Sequence, residues 1–146
     1  GVEQTVSSLR KSVSEVRLSF GGARVLLVED NEINQQVARE LLESVDVDVT
    51  IAENGKVALE ILNRERFQLI LMDLQMPEMD GYTLTTSIRN DARIADFNIV
   101  LHTSLSGVFN KAMVEKVGAD GFIAKFNPDI LGEEVVKRIE QFTKAK

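Results

Sequence analysis

Cysteine is absent from the 146-residue chain, so it has neither disulfides nor thiolate chemistry to draw on. The absence fits a reducing cytoplasm, which is the expected location. Long hydrophobic runs are missing as well. No apolar stretch approaches the ~20 residues a membrane helix needs, and no basic-then-apolar leader opens the sequence, so membrane insertion is not expected. Positive charge is scarce: 17 Lys and Arg stand against 23 Asp and Glu, a net charge of -6. Nucleic acid is therefore not expected as a direct partner, because a phosphate backbone demands a basic footprint. Histidine occurs once, at His102. What is present is ordinary for a globular protein, 44% apolar and 27% charged residues, enough for one domain with a real core.

The first 22 residues differ from the rest. Val6, Leu9, Val13, Val16 and Phe20 recur at heptad spacing and share one stripe of a helix. Two heptads are marginal alone, so the stripe needs a second copy of the chain, a neighbouring domain or the body of this one. The competing reading is a linker, since five serines lower the helix propensity. Gly21-Gly22 then marks a boundary, giving 1–22 as an amphipathic helix or linker and 23–146 as the main domain.

From Arg24 onward strand-like and helix-like patterns alternate. Strands are predicted at 24–29, 47–52, 69–73, 99–103 and 122–124. Helical stripes follow each: Ile33, Val37, Leu41 and Leu42; Val57, Ala58, Ile61 and Leu62; Tyr82, Leu84 and Ile88; Met113 and Val114; then Leu131, Val135, Val136 and Ile139. Asn54 and Asn127 stand where helix N-caps belong, and Gly118 where a C-terminal cap belongs. Strict alternation implies an α/β fold, a doubly wound five-stranded parallel sheet with helices on both faces. All strand carboxyl ends then share one edge of that sheet.

The chemistry converges on that edge. In LILMDLQMPEMDG (69–81) an apolar run ends at Asp73, and a carboxylate closing a buried strand is costly unless something uses it. Glu29 and Asp30 end the first strand, Thr103 the fourth, and Lys125 follows the fifth. Three carboxylates without nearby His or Cys suit a hard cation, Mg2+ or Mn2+. Asp73 could then attack phosphorus as a nucleophile, while Lys125 and Thr103 meet the charge on the phosphoryl oxygens.

In their order and separations these residues resemble the receiver domain of two-component response regulators: the Glu29-Asp30 pair, the DLQMPEMDG block, Thr103-Ser104 and Lys125. The resemblance covers roughly residues 23 to 141 and implies a flavodoxin-like (βα)5 receiver fold. It also implies Asp73 as phosphoacceptor and Mg2+ held by Glu29, Asp30, Asp73 and the backbone carbonyl of Gln75. It makes Thr103 and Phe122 a switch pair and a histidine kinase the phosphoryl donor; separately, the heptad stripe leaves a homodimer one of the states open to the chain. EDNEINQQVA (29–38) is similar to receivers of hybrid sensor kinases, and the second half is similar to the receiver of CheV-type chemotaxis coupling proteins. Phe126 departs from the pattern, standing where many receivers have proline.

Strand alternation turns His102 away from the crevice if Thr103 faces into it, so His102 is not expected to act in catalysis. Leu105 cannot position water, and slow self-dephosphorylation is expected. Two other functions compete. An aspartyl phosphatase or phosphotransferase with a DxD motif needs an acid two residues after the nucleophile, where Gln75 stands. An adaptor that is never phosphorylated would have no need of the complete acidic pocket. The chain is thus read as a signalling module and not as a turnover enzyme.

Overall fold

In the computed structural model the described residues are 23–76, 79–102, 111–123 and 128–145. The heptad stripe of the first 22 residues, and Thr103, Ser104, Leu105, Lys125, Phe126 and Asn127, lie outside them.

Five strands, β1 (Arg24–Val28), β2 (Asp48–Ala52), β3 (Leu69–Asp73), β4 (Ile99–His102) and β5 (Gly121–Ile123), alternate with five helices. The helices are α1 (Glu32–Glu43), α2 (Gly55–Leu62), α3 (Gly81–Asn90), α4 (Lys111–Val117) and α5 (Pro128–Ala145). All neighbouring strands pair in parallel, in the order β2-β1-β3-β4-β5. The predicted doubly wound sheet is the one observed.

Burial explains why the strands read as they do. Every residue of β3 is buried, and β1 is buried after its first residue, because both have helices on each face. Leu26, Val28, Ile70, Met72 and Leu101 pack with Ala58, Ile61, Leu84, Ile88 and Val114 of α2, α3 and α4. Val25, Leu27, Leu69, Leu71 and Val100 pack on the other face with Ala38, Leu42, Leu131, Val135 and Ile139 of α1 and α5. The edge strands β2 and β5 are only partly buried.

The helix starts follow from local chemistry. The Asn31 side chain accepts the N–H groups of Ile33 and Asn34, Asn54 that of Val57, and Asp80 that of Thr83, satisfying donors that helix geometry leaves open. Gly118 adopts φ +83°, the left-handed conformation of a C-terminal cap, as its position implied.

Three expectations need correction. Ile33 was placed on the buried stripe of α1, yet it is 73% exposed. It sits in the first turn, beyond the end of β1, and the buried residues of α1 are Ala38 and Leu42 one and two turns later. The strand ends also shift: β1 stops at Val28, so Glu29 follows the strand, though its N–H still donates to the Ala52 carbonyl. β5 runs from Gly121 to Ile123 instead of 122–124. Finally, His102 does not turn to the face opposite the site. It is the register partner of Asp73, and adjoining partners in a parallel sheet share a face. Burial, at 3% exposure, is what keeps it from solvent.

Candidate functional site: an acidic cluster at the strand switch point

β1 and β3 are neighbours in the sheet, and the chain reverses its direction of winding between them. Such a switch point leaves a crevice at the strand carboxyl ends, where open α/β sheets bind ligands. Glu29 and Asp30 leave β1 there, and Asp73 ends β3 there. One carboxylate oxygen from each of the three lies within 4.8 Å of the others. Glu29 and Asp73 are buried and Asp30 is exposed, so the cluster is closed below and open to solvent on one side.

The two buried carboxylates are held in place. Asn34 Nδ2 donates to Glu29 Oε1 at 2.8 Å, and Gln35 Nε2 to the Glu29 carbonyl at 2.7 Å, both from the first turns of α1. The Gln75 N–H donates to Asp73 Oδ1 at 3.0 Å. Asparagine and glutamine just past the acidic pair were a signal that could have been read as carboxylate support. Gly81 is a further requirement. A Cβ there would lie 2.7 Å from the Asp73 carbonyl oxygen and 3.0 Å from Leu74 Cα, so only glycine lets α3 start against the end of β3.

The cluster is electrostatically unfinished. Glu29 Oε2 is buried and receives no hydrogen bond among the described residues. Burial pushes the Glu29 carboxyl up to about 8, aided by a hydrogen bond it can make to Asp73 only when protonated and by the charges of Asp73 and Asp30. The Asn34 amide acts against this rise. An all-oxygen donor set with one buried, unsatisfied carboxylate oxygen fits a hard divalent cation, whose charge would replace the proton.

Of the other expected residues, Phe122 is half-buried on β5, opposite Leu101, and packs against the core on the side of α4. Its carbonyl accepts from Arg138 Nη2 at 3.1 Å. Thr103 and Lys125 are among the residues not described.

Sheet order, helix placement and a cluster at the β1/β3 switch point define the class: a flavodoxin-like α/β domain with an acidic ligand crevice. Within that class the chain belongs to the response regulator receiver domain family, whose model matches residues 25–142. It is 34% identical over 129 residues to hybrid signal transduction histidine kinase B of Dictyostelium discoideum, a match spanning 80% of this chain and 7% of that protein. It is 30% identical over 101 residues to the polar-differentiation response regulator DivK of Brucella anthropi, spanning 69% of this chain and 82% of that one. The receiver domain of a sensor histidine kinase from Pseudomonas aeruginosa, solved with a magnesium ion coordinated in its active site cleft, superimposes with a TM-score of 0.71 at 31% identity, covering 82% of this chain and 98% of that one. The expected likeness to hybrid-kinase receivers is therefore real. The expected likeness of the second half to CheV-type proteins is not shown.

Proposed function

We propose that this receiver domain takes a phosphoryl group onto Asp73 from a histidine kinase, with Mg2+ held by Glu29, Asp30, Asp73 and the Gln75 carbonyl. The observation that carries this reading is the cluster of three carboxylates with Glu29 Oε2 buried and unsatisfied among the described residues. A bound divalent ion would supply positive charge against the phosphoryl oxygens, the main catalytic need in phosphoryl transfer.

The protein's own part is positional. The Gln75 N–H fixes one Asp73 oxygen and leaves the other to attack phosphorus. As that P–O bond forms, the P–N bond of a phosphohistidine breaks and its electron pair leaves on the imidazole nitrogen. The product is an acyl phosphate on Asp73. Lys125 is proposed to neutralise the phosphoryl oxygens, and Thr103 to donate a hydrogen bond to them. Phe122 is proposed to follow Thr103 and so to change the surface around α4. Such a device biases a two-state equilibrium by binding one state better.

The stored phosphoryl group is thus a signal, and the domain is not a turnover enzyme. Residues 1–22 are proposed as a helix or linker separate from the receiver at 23–146, working in the cytoplasm and able to support a homodimer. A chemotaxis output remains part of the proposal through the relationship to a chemotaxis response regulator of Vibrio cholerae, 28% identical with a TM-score of 0.70.

The test is incubation with Mg2+ and acetyl phosphate followed by mass spectrometry. One added phosphoryl group on Asp73 is expected, and none when Mg2+ is chelated beforehand. If no mass is gained, the reading falls, and an adaptor that works without phosphorylation takes its place.

A further inference from the structure

We propose that Arg89 is a clamp that makes the carboxyl end of α4 its fixed end, so that displacement of α4 is a pivot about Gly118. Arg89 lies in the last turn of α3 and is half-buried. Its Nε donates to the Gly118 carbonyl at 2.8 Å, Nη1 to the carbonyls of Ala95 at 2.7 Å and Phe97 at 2.6 Å, and Nη2 to Asp120 Oδ2 at 2.7 Å. One planar group thereby joins four segments: the end of α3, the connection to β4, the cap of α4 and the residue before β5.

The far side of the clamp is itself anchored. Asp120 Oδ2 also accepts the Ile99 N–H at 2.8 Å, and the Asp120 N–H donates to the Ile99 carbonyl at 2.8 Å. Gly118 is therefore tied, through Arg89, to the first residue of a central strand. Its left-handed φ of +83° turns the chain there, and its N–H closes back onto Glu115 at 3.1 Å.

The helix α4 is itself short. It has seven residues, too few to be helical alone, and among its described side chains only Val114 is fully buried. Its amino end is the one connected to β4, whose last residue pairs with Asp73. The helix therefore runs from the edge of the sheet that carries the acidic cluster to the edge that carries the clamp. A short helix tied this firmly at one end moves least at that end, so its displacement is a rotation about it.

The shape of arginine is essential to the clamp. Nitrogen donors on three sides of one plane reach acceptors that a single ammonium cannot span together, so charge alone does not replace it.

Amide hydrogen exchange on the full chain tests the clamp. In Arg89→Met and in Arg89→Lys, amides 113–120 should exchange at least about tenfold faster while those of α1 and α5 hold their rates. Asp120→Asn, which keeps an acceptor for Ile99, should accelerate the same amides less. Uniform acceleration across the protein, or full protection in Arg89→Lys, overturns the clamp.

The use of the clamp as a pivot rests on the phosphorylation proposed above, and a second arm separates the two. With Mg2+ and beryllofluoride, exchange in the unsubstituted protein should change most at Lys111 and least at Val117, and the gradient should vanish in Arg89→Met. An even change along α4 in the unsubstituted protein overturns the pivot. No change anywhere overturns the phosphorylation reading, and the arm without beryllofluoride still decides the clamp.

Discussion

The two edges of the sheet handle charge in opposite ways. At the carboxyl edge, Glu29, Asp30 and Asp73 face one another, no cation is among the described neighbours, and Glu29 is held protonated well above the usual carboxylate range. At the amino edge the arginines are paired with acceptors. Arg89 reaches four. Arg24 reaches Glu65 and the Arg66 carbonyl and stacks over Phe67, its guanidinium carbon 4.8 Å from the ring centroid. Arg66 reaches Asp96 and lies 4.1 Å over Phe97. Among the described residues, the acidic edge leaves its charges without a cation while the amino edge ties its charges into the fold. The difference separates a place built to receive a ligand from a place built to stay still.

The contrast can be broken at several points. The largest effect is expected from Asp73→Asn, which should abolish phosphoryl uptake, read as the absence of added mass after acetyl phosphate treatment. The same change should leave the fold intact, since asparagine keeps an oxygen for the Gln75 N–H.

Next comes pH. Burial pushes the Glu29 carboxyl up to about 8 in the folded chain from an ordinary 4.5, so the protonated form favours folding. The stability it contributes is complete below pH 4.5 and is lost as pH rises towards 8, by about 3 to 5 kcal/mol. Urea titrations between pH 5 and 8.5 without divalent ions would show the fall, and Glu29→Gln should flatten it. Because a cation must displace that proton, Mg2+ affinity should climb about tenfold per pH unit below 8, measurable by calorimetry.

At the other edge, Arg89→Met should cost about 2 to 3 kcal/mol, because it strands several partly buried acceptors at once. Gly81→Ala carries the contrast into the backbone of the site: a methyl group pressed to 2.7 Å from the Asp73 carbonyl should cost about 1 to 3 kcal/mol and slow phosphoryl uptake by displacing Asp73. The smallest effect is expected at Arg66→Ala. Its ion pair with Asp96 is more than half exposed on both sides and is screened by water, so the loss should stay within about 1 kcal/mol. A larger loss there than at Arg89 would undo the distinction between clamp and surface pairing.

Much of the fold was legible because its signals are local. The unbroken apolar run before Asp73 and the spacing of Leu131, Val135, Val136 and Ile139 reflect burial that each element undergoes whatever its neighbours are. Ile33 broke that rule because periodicity tells which residues share a helix face, not how far that face extends beyond the sheet. Asp46 is another residue the pattern could not reveal. It takes φ 63° at the turn into β2, where no glycine signals a left-handed residue. Asn34 and Gln35 were visible as residues, but their hold on Glu29 depends on α1 starting directly after β1.

The sequence by itself determined the alternation of strands and helices, the edge at which Glu29, Asp30 and Asp73 would meet, and the family. It could do so because strand direction follows from connectivity, and direction decides which ends converge. Only the tertiary structure decided that Glu29 is buried with one oxygen unsatisfied among the described residues, that His102 shares a face with Asp73, and that Arg89 ties its own helix to three separate segments. Those are matters of distance between residues far apart in the chain, and no local pattern carries that information.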